Sequence, residues 1–221
     1  MEYILPVFFL FISFIYSSVG LGGGSSYTAI LAIIGISYKL IPTTSLILNI
    51  VVTFIGMVNF WRNGHGRISL VGPFLITSIP MAYIAGRLIF PEIIFQFILA
   101  ATLILAAIRI FIFRELSIKY QLSNIERWIL IFCLGIILGF IAGAVGIGGG
   151  IYLVPLIIFF GLGTTKEASA AGAMFIWANS MAGLIARYHY GTFKINFILP
   201  LIIAVIVGGF IGSYFGSVKY D

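Results

Sequence analysis

The sequence predicts an all-α fold: a polytopic transmembrane helix bundle of two inverted repeats, each containing a GxGGG-broken helix and a short re-entrant segment. Three observations lead there. The 221-residue chain is 62% hydrophobic and only 8% charged, against about 25% charged in ordinary soluble domains. Its apolar residues fall into nine runs separated by short polar breaks. The hexapeptide VGLGGG at 19–24 returns as VGIGGG at 145–150, an offset of 126.

The first observation fixes the class. Mean hydropathy is +1.20, and 12 basic and six acidic residues cannot cover the surface of a soluble domain of this size. The net charge of +6 does not point to nucleic acid, because the cations lie between apolar runs and read as membrane-surface anchors. The single cysteine, Cys133, excludes an intrachain disulfide and reads as a small apolar group facing lipid or a neighbouring helix. The first run has no basic leader before it and reads as a membrane helix rather than a removable peptide. The expected location is a bacterial or archaeal plasma membrane, with several passes.

The runs are 3–19, 25–37, 42–61, 68–90, 93–113, 128–145, 151–163, 168–187 and 195–215. Crossing the hydrocarbon core takes roughly 20 residues. The runs 25–37 and 151–163 have 13 residues each, about 20 Å of helix, and are predicted to be half-helices or re-entrant segments.

The chain divides into a first transmembrane repeat at 1–113, a polar loop at 114–127 and a second repeat at 128–221. Besides the glycine hexapeptides, Gly35 matches Gly161, Gly86 matches Gly212, and Pro73 falls opposite Pro200 after a one-residue slip. If all five runs of the first unit cross, the second is upside down relative to it; if the short runs only dip in and out, the parity changes. With every run crossing, Arg62, Arg67, Arg114, Lys119, Arg127, Lys166 and Lys219 share one side, against Lys39, Arg87, Arg187 and Lys194; the excess assigns the first side to the cytoplasm. Run 93–113 has no counterpart after 215. The stripe Gly208, Gly212 and Gly216 is therefore expected to lie open to a second subunit, as a homodimer, or to a further C-terminal helix.

The glycine runs carry the chemistry. Four glycines in five residues oppose a continuous helix, at about 1 kcal/mol each relative to Ala. They permit left-handed backbone and close approach of a ligand. Irregular backbone at membrane depth survives only inside protein or beside an aqueous cavity. A short helix starts after each break, and its unpaired N–H groups and positive dipole end suit an anion. The candidate binding residues are thus Gly22, Gly23, Gly24, Ser25 and Ser26 in one half, and Gly148, Gly149, Gly150, Ile151 and Tyr152 in the other. Polar residues in the following runs join them: Thr43, Thr44, Ser45 and Asn49, then Ser169 and Asn179. Interhelical hydrogen bonding is the alternative reading for each hydroxyl. Gly139/Gly143 and the Gly208 stripe read as helix-packing positions.

These motifs resemble the sulfite exporter TauE/SafE family of membrane permeases. The resemblance rests on GAVGIGGGIYLVPLIIFFG at 143–161, on Pro155, on Ala168-Ser169-Ala170-Ala171, and on Pro42-Thr43-Thr44-Ser45 in the first half. That half departs from the pattern in having Ser25-Ser26-Tyr27-Thr28-Ala29 after its glycines. The resemblance implies a secondary transporter for small sulfur-containing anions such as sulfite, thiosulfate or organosulfonates, working by alternating access with the anion at the half-helix N-termini. An anion channel using the same glycine site is the alternative.

Catalytic readings find little support. Two histidines, one cysteine and no carboxylate inside any run offer no metal set, and no cofactor is implied. His65 and His189 sit in polar turns, away from Ser25 and Ser26, which argues against intramembrane serine proteolysis. A coupled proton would have to travel on the substrate or a histidine. Arg62 and Arg187, closing corresponding runs, read as interfacial cations or as basic mouths that attract anions.

Overall fold

A computed structural model describes residues 4–112, 123–189 and 195–219. Most of the 114–127 loop lies outside these residues. Among them the chain forms nine α-helices and no strand: α1 (Ile4–Ser18), α2 (Gly24–Ile33), α3 (Leu40–Arg62), α4 (Ile68–Arg87), α5 (Glu92–Ile112), α6 (Asn124–Val145), α7 (Gly150–Phe159), α8 (Thr165–Ala186) and α9 (Ile195–Val218). Five of them, α3, α4, α6, α8 and α9, are long and apolar enough to cross a membrane.

Local chemistry sets the helix ends. Ser123 and Glu126 close a reciprocal capping box at the start of α6, and Thr164 and Glu167 do the same for α8. Each box satisfies two N–H groups that a helix start leaves unpaired. The Ser123 box explains why α6 begins at Asn124, ahead of the apolar run at 128. The half-helices α2 and α7 have 10 residues each, shorter than their 13-residue runs, because both close at a left-handed glycine turn, Gly35 (φ 78°) and Gly161 (φ 60°).

Side chains tie the short helix α2 to α1. Tyr27 stacks on Phe9 with ring centroids 4.7 Å apart, and Ser26 Oγ donates to Tyr16 Oη at 2.8 Å. Two apolar clusters fill the interior. Phe9, Tyr27, Leu48, Phe95 and Val205 belong to one; Phe74, Leu138, Leu153 and Phe175 belong to the other. The outer faces carry large exposed apolar side chains, among them Phe11, Ile76 and Phe210, which suits lipid rather than water. Cys133 is exposed on α6, consistent with a lipid-facing position.

Small residues bring two helix pairs into backbone contact. On α9 a Cβ at Gly208 would overlap Leu10 and Ser13, one at Gly212 would overlap Phe14 and Ser17, and one at Gly216 would overlap Ser18. Both numberings rise together, so α1 and α9 are parallel. On α6 the corresponding neighbours are Phe74 and Thr77 for Gly135, Ser78 for Gly139 and Ala82 for Gly143; α6 is parallel to α4. This corrects the expectation of an open stripe. Gly208, Gly212 and Gly216 are filled by α1 of the same chain, because Ser13, Ser17 and Ser18 are small enough to let the backbones meet. That face has no room for a second subunit.

The remaining registers follow. Val52 meets Gly209, and Asn59 and Asn63 donate to Ser213 and Ser217 at 2.7 and 3.1 Å, so α3 is parallel to α9. Gly56 faces Ala173 while Leu46 faces Gly183, so α3 and α8 are antiparallel. Gly86 meets Gly183 and Ala186, and Leu70 approaches Gly163, so α4 is parallel to α8.

Candidate functional site

Both glycine runs break the helix with left-handed residues at matching places. Gly20 (φ 73°) and Gly23 (φ 85°) correspond to Gly146 (φ 84°) and Gly149 (φ 72°), and the second run adds Gly148 (φ 84°). Residues with a Cβ are disfavoured there. The runs also demand space. A Cβ at Gly20 would overlap the Ser169 backbone, and one at Gly146 would lie 2.9 Å from Pro42 Cα. Each break is thus seated against the start of the long helix of the opposite half. Gly23 and Gly149 are the N-caps of α2 and α7, and no side chain caps either helix.

The two breaks meet at Asn49. This side chain is fully buried, and its Nδ2 donates to Gly146 O at 3.1 Å. Ser45, one turn earlier on α3, donates to the same carbonyl at 2.8 Å and lies 3.4 Å from Gly24 O. A Cβ at Gly22 would come within 2.5 Å of Asn49 Oδ1, and one at Gly24 within 2.6 Å of Ile147 O. Asn49 Oδ1 itself has no hydrogen-bond partner in the protein. Donation from Nδ2 to Gly146 O fixes which end of the amide faces Gly22.

Of the residues singled out from the sequence, Gly22, Gly24, Ser45, Asn49 and Gly148 converge here, with Gly148 near Asn49 Nδ2 and against Ile176. Gly23 lies under the Tyr27 ring, Gly149 against Leu138 O and Phe175, and Gly150 against Ile176. Ser25 and Ser26 do not face the junction through their hydroxyls. Both point to Tyr16 Oη, because the stacking of Tyr27 on Phe9 sets the rotation of α2. Tyr152 donates to the Thr102 carbonyl on α5, and Ile151 packs beside the first apolar cluster. The Ser169 backbone holds Gly20. Asn179 donates to Phe175 O of its own helix at 2.8 Å and leaves its Oδ1 unpartnered. Thr44 is buried on α3; Thr43, also buried, has an unpartnered hydroxyl.

The junction is polar on one side only. At the 126 offset, Ser45 and Asn49 correspond to Ala171 and Phe175, and Phe175 presses its ring on Gly149. Gly146, absent from the candidate residues, supplies the carbonyl that joins the halves; its match to Gly20 was the available signal. Arg187, expected as an interfacial cation or a basic mouth, is only 6% exposed, and donates to Ala144 O at 3.0 Å and Gly183 O at 3.3 Å. Its counterpart Arg62 is exposed. No signal in the sequence separates the two arginines. No group of histidine, cysteine and carboxylate side chains among the described residues could hold a metal.

A bundle of apolar helices, five of them long enough to cross a membrane, defines a polytopic membrane protein. The family described as sulfite exporter TauE/SafE matches residues 5–219, and the chain belongs to that family. It is 32% identical to a probable membrane transporter protein, y4hK, of Sinorhizobium fredii, over 96% of this chain and 87% of that one. It is 27% identical to the probable membrane transporter protein YjnA of Bacillus subtilis, over 93% and 86% of the two chains. A third relative, the probable membrane transporter protein YdhB of Bacillus subtilis, is 38% identical over 40% of this chain and 33% of its own. No solved structure matches the chain.

Proposed function

We propose that the chain is a secondary transporter for small sulfur-containing anions such as sulfite, thiosulfate or organosulfonates, and that the junction of the two glycine breaks is where the anion passes. The observation that carries this reading is the meeting of both breaks at Ser45 and Asn49, beside two helix starts whose N-cap residues are glycines. A helix start attracts an anion by its dipole without a fixed counter-charge, so a bound anion can leave again.

Alternating access would come from two inverted repeats rocking against each other. Helix directions support the inversion. By the registers above, α1, α3 and α9 run one way and α4, α6 and α8 the other. The sequence-matched pairs α1/α6, α3/α8 and α4/α9 are therefore opposed. Packing is also reciprocal: α1 on α9 matches α6 on α4.

The test is flux in vesicles reconstituted with the purified protein. Saturable uptake of labelled sulfite, thiosulfate or taurine, accelerated by the same anion inside, is the expected result. Ohmic single-channel current without counterflow would assign the site to a channel instead. Absence of flux for every sulfur anion tried, with phosphate or carboxylates transported, would remove the substrate class.

A further inference from the structure

A cavity of about 210 Å³ opens beside the junction, on the side that holds the turn before α3 and the turn between α4 and α5. Lys39, Thr43 and Arg187 supply its polar lining, and Ile89, Phe90 and Phe95 most of its apolar wall. We propose that this cavity is a loading site for a short organic oxyanion, an alkanesulfonate being the fitting chemistry, and that it serves one face of the membrane only. The proposal rests on the reading of the chain as an anion transporter and names where and from which side the anion is first held.

Arg187 is a positioned cation. Its guanidinium is buried and held by the Ala144 and Gly183 carbonyls, and a Cβ at Gly86 would come within 3.1 Å of its Nη1. Thr43 is 2% exposed, and its hydroxyl has no partner in the protein. A buried hydroxyl left without a partner is costly, and a bound oxyanion would satisfy it. Lys39 adds a solvent-exposed ammonium, suited to capture from solution. Pro42 and Ala144 also line the cavity. Gly146 packs on Pro42, so the cavity adjoins the junction.

The wall chooses between anions. A bare, strongly hydrated oxyanion loses water against Phe90 and Phe95 and gains nothing from them, whereas a short hydrocarbon tail is favoured there. The volume lies below the roughly 300–1,000 Å³ of drug-sized pockets, which suits a short tail. At the opposite mouth the corresponding arginine, Arg62, is exposed, His65 is hydrogen-bonded to Ser217 O at 3.1 Å, and Arg67 pairs with Glu167 at 3.5 Å.

The test is calorimetric titration of the full chain, in nanodiscs of zwitterionic lipid, with ethanesulfonate and with sulfate. Ethanesulfonate is expected to bind about tenfold more tightly than sulfate. Thr43→Val should weaken it about tenfold and Lys39→Gln about threefold, with Arg62→Gln unchanged. Should Thr43→Val not fold, Lys39→Gln, on an exposed turn, carries the test. Unchanged affinity in the folded variants, or tighter binding of sulfate, overturns the proposal. Loss of ethanesulfonate binding on adding anionic lipid would give the cavity to a lipid phosphate and overturn it as well. Counterflow that persists while Lys39→Gln and Thr43→Val leave binding untouched would sink this site and spare the transporter reading. Binding that behaves as expected without any counterflow would do the opposite.

Discussion

Gly146 O is the point where the halves are tied, and removing its donors one at a time and together tests that claim. Ser45 and Asn49 both donate to this buried carbonyl, at 2.8 and 3.1 Å. Ser45→Ala removes one bond and leaves the carbonyl satisfied by the other. The expected cost is about 1 kcal/mol, or roughly 2–4 °C in melting temperature for a chain of this size. Alanine should be tolerated sterically, since the matching position in the second half is Ala171. Asn49→Ala removes the second bond and leaves a small cavity, about 2 kcal/mol in all. In the double variant the carbonyl is buried with neither donor, a penalty of about 1–3 kcal/mol that neither single variant carries. The loss should therefore exceed the sum of the two, and the cavity term cancels in the cycle. Melting of purified protein, followed by loss of the monodisperse peak on size exclusion, gives the four values. Additivity within about 0.5 kcal/mol would refute the shared-acceptor argument.

Other expectations follow from the same geometry. Gly149→Val should insert normally yet lose transport, since residue 149 is left-handed and its Cβ would lie 3.0 Å from Leu138 O and Phe175; wild-type flux would defeat the broken-helix reading. Gly212→Leu should lower the melting temperature by several degrees, because overpacking costs about 1–3 kcal/mol, and an unchanged melt would mean α1 is not seated on α9. Arg67→Gln should leave flux unchanged and cost under about 1 kcal/mol, because its pair with Glu167 is solvent-exposed.

The fold was legible where physics is local. Apolar runs marked the long helices, and two glycine hexapeptides marked the breaks, because a left-handed turn leaves few substitutes for glycine. What escaped depends on rotation and on distant partners. Ser25 and Ser26 head a half-helix, as expected, but the Phe9–Tyr27 stack turns their hydroxyls to Tyr16. The Gly208 stripe advertised close packing without saying which helix fills it, and α1, nearly 200 positions earlier in the sequence, does so. Asn49 could be suspected from its chemistry, but its acceptor lies 97 residues away. Arg187 and Arg62 look alike in sequence; only the packing of α8 against α6 buries one of them.

The unequal polarity of the junction bears on how the protein rests between cycles. If the halves were identical, exchanging their conformations would turn the molecule inside out at no cost, and it would dwell equally on both sides of the membrane. They are not identical, because Ser45 and Asn49 stand where the other half has Ala171 and Phe175. The mirror conformation would forfeit both hydrogen bonds to Gly146 O and offer an alanine and a phenylalanine in their stead. At about 1 kcal/mol per bond, that imbalance favours one facing over the other by about thirtyfold. On the proposed alternating-access reading the empty protein would have a preferred side, and Ser45→Ala should relax that preference about fivefold toward even occupancy.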